Sequence, residues 1–200
     1  MSEEARVQQP HGAILWRRLD TPGHDACRLN RTDQGWSVEG AAVFLHHGAP
    51  ARVAYRVECD HDWLTRAGRV SGWIGTRPLD LRVARTVAGV WTLDDATVPG
   101  LDTCVDFDLG FTPATNLIPL RRLALADGQA ADATAAWLDV SAGALTALPQ
   151  RYARRTRTAY WYEAPTVGYA ALLEVTPDGF VRRYPGLWEA EPRDGSTEPV

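Results

Sequence analysis

The sequence predicts a mainly β chain: a long antiparallel meander sheet, curled into a roll or half-barrel, with little helix. Three observations carry that expectation. Apolar residues recur with a period of two, as in "RVAYRVEC" (52–59), where Val53, Tyr55, Val57 and Cys59 alternate with Arg52, Ala54, Arg56 and Glu58. Turn-forming pairs such as Gln34-Gly35, Asp127-Gly128 and Asp178-Gly179 punctuate these stretches at short intervals. Helical periodicity is poor and nothing reads as a βαβ unit, which argues against doubly wound folds and α/β barrels.

In chain order, strands are expected at 13–19, 26–31, 36–46 and 52–59, then at 70–75, 79–85, 90–94 and 103–111. The C-terminal half adds 117–126, 133–140, 152–163, 168–176 and 180–184. A single helical turn is expected near 142–149, and "CDHDWLTRAG" (59–68) coils briefly around Trp63. In 79–85, Leu79, Leu81 and Val83 oppose Asp80, Arg82 and Ala84, the pattern of a strand with one wet face. So many strands cannot stay one flat sheet; twist makes them curl, split into layers or close. Curling leaves a concave apolar inside, either filled by side chains or open to a ligand. One domain is expected over 11–191, with a disordered end at 1–10 and a flexible tail at 192–200.

Composition narrows the function classes. The net charge of -4 gives no electrostatic reason to expect nucleic acid or an anionic membrane surface. All 21 basic residues are arginine, which makes a surface rich in rigid, bidentate donors. "MSEEARVQQPHG" has no apolar core of a secretory signal, and no stretch approaches the length of a transmembrane segment. Three widely spaced cysteines, Cys27, Cys59 and Cys104, fit reduced thiols. The expectation is a soluble, cytoplasmic protein. Its eight tryptophans suit either the packing of short strands or the walls of an apolar ligand cavity.

Four stretches hold candidate chemistry. Asp106 and Asp108, two apart on a strand, point to one face about 6.5–7 Å apart, a spacing compatible with an acid and base flanking a water. Their structural alternative is a carboxylate pair held by Arg121 or Arg122. "CDHDW" (59–63) brings Cys59 near His61, but a metal would need further ligands and no Cys-x-x-Cys or His-x-x-x-His pairing exists, so no metal is expected. Cys59 reads best as a small buried hydrophobe. In "TPATNLIPLRR" (112–122), Thr112, Thr115 and Asn116 bond neighbouring backbone while Pro113 and Pro119 break the ladder, which describes a corner between strands. "QRYARRTRTAYWYEA" (150–164) mixes arginine and aromatics, but its alternation puts Tyr152, Arg154 and Thr156 on one face and Arg155, Arg157 and Trp161 on the other. A single-strand binder would gather its aromatics on one open face. No Gly-rich phosphate loop, Gly-x-Ser-x-Gly or dinucleotide fingerprint occurs, and no cofactor is expected.

"CDHDWLTRAGRV", "DFDLGFTPATNLIPLRRL", "QRY" and "GFVRRYPGLW", in this order and spacing, resemble a family of bacterial proteins called putative glycolipid-binding proteins, formerly a domain of unknown function. The resemblance runs from about Trp36 to Trp188, with its most specific part at Thr112-Pro113, Thr115-Asn116 and Pro119 with Arg121-Arg122-Leu123. It implies a long antiparallel sheet rolled on itself, likened to carriers of lipoproteins and glycolipids, and it transfers no catalytic residue.

The function expected first is therefore non-enzymatic binding of an amphipathic ligand, a glycolipid or fatty-acyl type, in the concave face. Trp63, Trp73, Trp91, Tyr152, Trp161 and Tyr184 would form walls, and Asn116, Arg121 and Arg122 would meet a polar head. The alternatives are a hydrolase-type enzyme using Asp106 and Asp108, with His61 as a further candidate, or a scaffold with a filled core.

Overall fold

The computed structural model describes residues 9–192. The ends expected at 1–10 and 192–200 fall, apart from Gln9, Pro10 and Pro192, outside those residues. Period-two alternation becomes antiparallel pairing wherever a short turn joins two such stretches. The N-terminal half is an uninterrupted meander of β1 (Gln9–Arg18), β2 (Gly23–Thr32), β3 (Gly35–His46), β4 (Ala49–Cys59), β5 (Thr65–Ile74), β6 (Arg77–Arg85), β7 (Trp91–Leu93) and β8 (Ala96–Thr97). After β8 the chain crosses to the other edge of the sheet. There it makes β9 (Asp106–Leu109), a 3-10 turn (Ala114–Asn116) and the helix α1 (Leu117–Leu123). It then works back through β10 (Ala130–Asp139), β11 (Ala144–Thr156), β12 (Ala159–Ala164), a second 3-10 turn (Pro165–Val167), β13 (Tyr169–Val175), β14 (Val181–Tyr184) and β15 (Trp188–Ala190).

β15 ends beside β1, in the register Trp16↔Ala190 to Arg18↔Trp188. Among the described residues the result is one sheet of fifteen strands in the order β8 to β1, then β15 down to β9. It is curled but not closed into a barrel. Every pairing is antiparallel except β9 with β10, which are parallel because the crossover delivers β9 from the opposite edge.

The concave face is the core. Trp16, Leu29, Val38, Val53, Val57 and Val70 are fully shielded from water. β9 is laid across the opening of this trough: the Phe107 amide donates to Thr65 Oγ1 on β5 (3.2 Å), and the Phe107 ring packs on Trp91. Burial of each such ring contributes about 1.5–3 kcal/mol. The two halves also meet at one rim, where Arg77 donates to the Val140 carbonyl (2.7 Å) and the His46 ring meets Ser141 Oγ (2.5 Å).

The expected fold class is thus observed, with four local differences. Residues 117–123 form a helix and not a strand. Pro119 sits in its first turn, where the missing N–H costs nothing, and Ala124 ends it in the left-handed region at φ 44°. The helical turn expected at 142–149 is instead the start of β11, after a turn in which Asp139 Oδ1 accepts from the Ser141 and Ala142 amides. The strand expected at 152–163 is a hairpin, broken between Thr156 and Ala159. The short strands β8 and β15 carry too few residues to show a period.

Gly68 has no side chain because Phe107 occupies that space: a Cβ there would lie 2.4 Å from Cε1 of the ring. Gly68→Ala is therefore expected to destabilise the fold by about 1–3 kcal/mol. Urea unfolding should also show that Gly68→Ala with Phe107→Leu costs less than the two single changes added together.

Candidate functional site

Most of the concave face is filled, but a cavity of about 300 Å³ remains where β9 and the start of α1 face β11 to β15. Period-two geometry explains its walls. Tyr162 points inward from β12, and Tyr169 and Tyr184 approach from β13 and β14. Their rings pack edge to face: Tyr162 on Tyr184 at 5.8 Å and 86°, and Tyr169 on Tyr184 at 5.1 Å and 69°. Tyr152 backs this wall 4.9 Å behind Tyr162. Trp137 of β10 lines another side, beside Gly110, where a Cβ would lie 2.4 Å from the indole nitrogen. Val167, in the 3-10 turn after β12, lines the cavity while 53% exposed, so the mouth is partly apolar.

A directed chain of hydrogen bonds ends at this cavity. Asn116 Nδ2 donates to the Tyr152 hydroxyl (2.9 Å), which donates to Gln150 Oε1 (3.3 Å). Gln150 Nε2 in turn donates to Asp108 Oδ2 (2.7 Å). Each donor fixes the orientation of the next group, so Asn116 and Asp108 are presented in one arrangement. Asn116 precedes α1 but makes no cap bond with its side chain; the amide is committed to Tyr152. Burial pushes the Asp108 carboxyl up to about 6, against the opposing effect of the Gln150 bond and with a further upward push from Asp106. Burial likewise holds the Tyr152 and Tyr184 hydroxyls well above their ordinary range, so they act as neutral hydrogen-bonding groups.

The neighbouring Asp106 has a different job. It is 1% exposed and receives two bonds from Arg122, Nε to Oδ1 (2.9 Å) and Nη2 to Oδ2 (2.6 Å). The two carboxylates sit two residues apart, but one is a structural ion pair and the other lines a cavity. This matches the sequence alternative in which an arginine holds the pair, for Asp106 and Arg122 alone.

The remaining sequence candidates divide between this cavity and other parts of the fold. Asn116, Tyr152 and Tyr184 belong to the cavity or its backing. Trp63 is stacked on Trp36 (4.8 Å, 16°) with Arg121 at 5.8 Å from its ring. Trp91 is buried, its indole donating to the Cys104 carbonyl (3.0 Å). Trp73 is 39% exposed on the outer face of β5. Trp161 points to the outer face of β12 and donates to Glu163 (2.9 Å). Arg121 donates to the Asp178 carbonyl (2.6 Å). Cys59 is a buried thiol in the core, pushed up to about 12 chiefly by burial. Among the described residues no group of three or more His, Cys, Asp or Glu is placed to hold a metal ion, and no helix is long and apolar enough to cross a membrane.

Sequence reasoning missed Trp137, Gln150, Tyr162 and Tyr169. The signal for two of them was present: Gln150, Tyr152, Tyr160 and Tyr162 share one parity, opposite to Trp161.

Thr112, also at the cavity, ties it to a second buried cluster. Its hydroxyl donates to Asp25 Oδ2, which also accepts from the Tyr55 hydroxyl (2.8 Å). Gly40 makes room for that hydroxyl, which a Cβ would approach to 2.5 Å. Asp25 is 0% exposed, and its Oδ1 has no hydrogen-bond partner among the described residues. Burial, offset in part by the Thr112 and Tyr55 bonds, pushes its carboxyl up to about 6. A folded-state value above the unfolded one means the native state holds the extra proton, so stability falls as pH rises from about 4 to about 6. Asp25→Asn has no such proton. Its unfolding free energy relative to the native chain is expected to rise across that window and stay level above pH ~7, as urea titrations at a series of pH values would read.

Comparison with known proteins gives two matches. The family model described as "Putative glycolipid-binding" matches residues 13–190. A solved DUF1089-family protein from Pseudomonas aeruginosa is similar over 94% of this chain and 96% of its own, with 27% identity and a TM-score of 0.72. A search of the curated proteins finds no match. With the matched span running from β1 to the end of β15, the chain belongs to the putative glycolipid-binding family.

Proposed function

We propose that the chain binds the sugar head of a glycolipid-type amphiphile, without reacting it, in the cavity between β9, α1 and β11 to β15. The observation that carries this reading is the junction of an aromatic wall with the oriented chain from Asn116 to Asp108. Sugars present apolar ring faces and a rim of hydroxyls, so they suit tyrosine and tryptophan surfaces beside a fixed carboxylate and amide. About 300 Å³ lies at the lower end of ligand cavities, enough for a head of one ring but not for acyl chains as well. The chains would leave past Val167.

The hydrolase alternative has less support. Two-carboxylate glycoside chemistry needs both groups free to meet substrate or water, and Asp106 is bound on both oxygens by Arg122. The scaffold alternative leaves the oriented polar chain without a purpose at a cavity.

The test is titration calorimetry with a monoglucosyl diacylglycerol in nanodiscs, using empty nanodiscs as the control. Asp108→Asn and Trp137→Ala are each expected to weaken binding about tenfold, the loss of roughly one charged hydrogen bond or one stacked ring. Trp161→Ala, on the outer face, should leave it unchanged. No heat of binding, or affinity indifferent to both cavity changes, would reject the sugar site. Release of free glucose, abolished by Asp108→Asn in a folded protein, would establish the hydrolase instead.

A further inference from the structure

A second cavity, of about 370 Å³, lies at the other end of α1 and takes no part in the sugar site. Its walls come from the end of α1 (Leu120, Arg121, Ala124), the β11–β12 turn (Arg154, Arg157, Thr158, Tyr160) and the β13–β14 turn (Thr176, Gly179). Three arginines converge there, and their commitments differ.

Arg154 is structural. Its guanidinium pairs with Asp127 (2.9 Å) and donates to the Leu125, Thr156 and Arg157 carbonyls. Arg121 is half committed: one terminal nitrogen donates to the Asp178 carbonyl, while its Nε is buried with no hydrogen-bond partner among the described residues. That nitrogen is sealed between the helix and the β13–β14 turn, so what Arg121 can offer the cavity is the rest of its guanidinium and its charge. Gly179 lets the β13–β14 turn lie against that nitrogen, 3.1 Å from where a Cβ would be. Arg157 is exposed, and its side chain makes no ion pair or hydrogen bond among the described residues. The hydroxyls of Tyr160 and Thr158, which make no hydrogen bond among the described residues, add neutral donors at the same wall.

The balance of charge is positive. Asp127 offsets one guanidinium, Asp178 of the β13–β14 turn directs its carboxylate away toward Gly12, and the carbonyl end of a seven-residue helix brings at most about half a negative charge. Arg121 and Arg157 exceed both. Planar guanidiniums with hydroxyls beside them suit an anion with several oxygens, since Arg157 can engage two of them and the free terminal nitrogen of Arg121 a third.

We propose that this cavity is a phosphate-group site, with Arg121 and Arg157 as its charged donors and Tyr160 and Thr158 as its neutral ones. It does not depend on the sugar reading: the lining residues named for the two cavities do not overlap, and one can fail while the other stands. The phosphate belongs either to a free small molecule or to a lipid head.

Two probes distinguish these sources. Inorganic phosphate is titrated into the full chain by calorimetry, with chloride at matched ionic strength as the reference. Vesicles of phosphatidylcholine containing phosphatidic acid are compared with pure phosphatidylcholine in a flotation assay. Binding of inorganic phosphate, weakened about tenfold by Arg157→Gln, assigns a free phosphate. Capture by phosphatidic acid vesicles alone, lost in the same variant, assigns a lipid head. Arg157 is exposed, so its replacement should leave the melting temperature in place; Thr158→Val serves as a second variant if it does not. Absence of both kinds of binding, or binding that neither variant alters, would overturn the proposal.

Discussion

The bidentate ion pair between Arg122 and Asp106 joins α1 to β9, the strand laid across the concave face. A helix of seven residues is too short to hold its shape in water. Here it is held at its C-terminal turn by Arg122 and at its start by the Asn116–Tyr152 bond. Both clamps are polar, and both are buried or nearly so, where geometry is enforced more strictly than by apolar contact. Since the ends of α1 supply Asn116 to one cavity and Arg121 to the other, the placement of this helix sets the shape of both. The ion pair is therefore the join on which the candidate chemistry rests, although neither partner is proposed to touch a ligand.

The same pair separates two carboxylates that look equivalent on paper. Asp106 and Asp108 share a strand, a face and a residue type, yet one has arginine on both oxygens and the other an amide and an aromatic cavity. Chemical role follows from what surrounds a group, and a D-x-D pattern carries no information about that.

Much of the fold was legible. Period-two alternation with turn residues located most of the long strands, because one face of each is wet and the other packed. The helix was not legible: "NLIPLRRL" is apolar in a way that suits either state, and seven residues give two turns at most. Of the residues at the cavity or backing it, Asn116, Tyr152 and Tyr184 are among those the sequence singles out by residue type, whereas Tyr162 is not, although it shares the parity of Tyr152. Trp137 could not have been found. It reaches the cavity only because β9 pairs in parallel with β10, a contact made by a crossover that leaves no local mark on the sequence. Tryptophan content misled for a related reason: Trp63, Trp73, Trp91 and Trp161 each satisfy a packing or surface demand that has no distinct spacing.

The seam between β1 and β15 has a consequence for how the molecule assembles. On either side of it the strands pair with sequence neighbours, whereas the seam joins residues 170 to 174 positions apart through three register pairs. Such a pairing must close a long loop before its own contacts stabilise it, so the local pairings within each half-meander have the means to form first. β9 makes its contact with β5 across the trough from that seam. β15, the last strand among the described residues, thus completes the middle of the sheet and not its edge, and until it is in place the edges of β1 and β14 stay open to pairing with other chains.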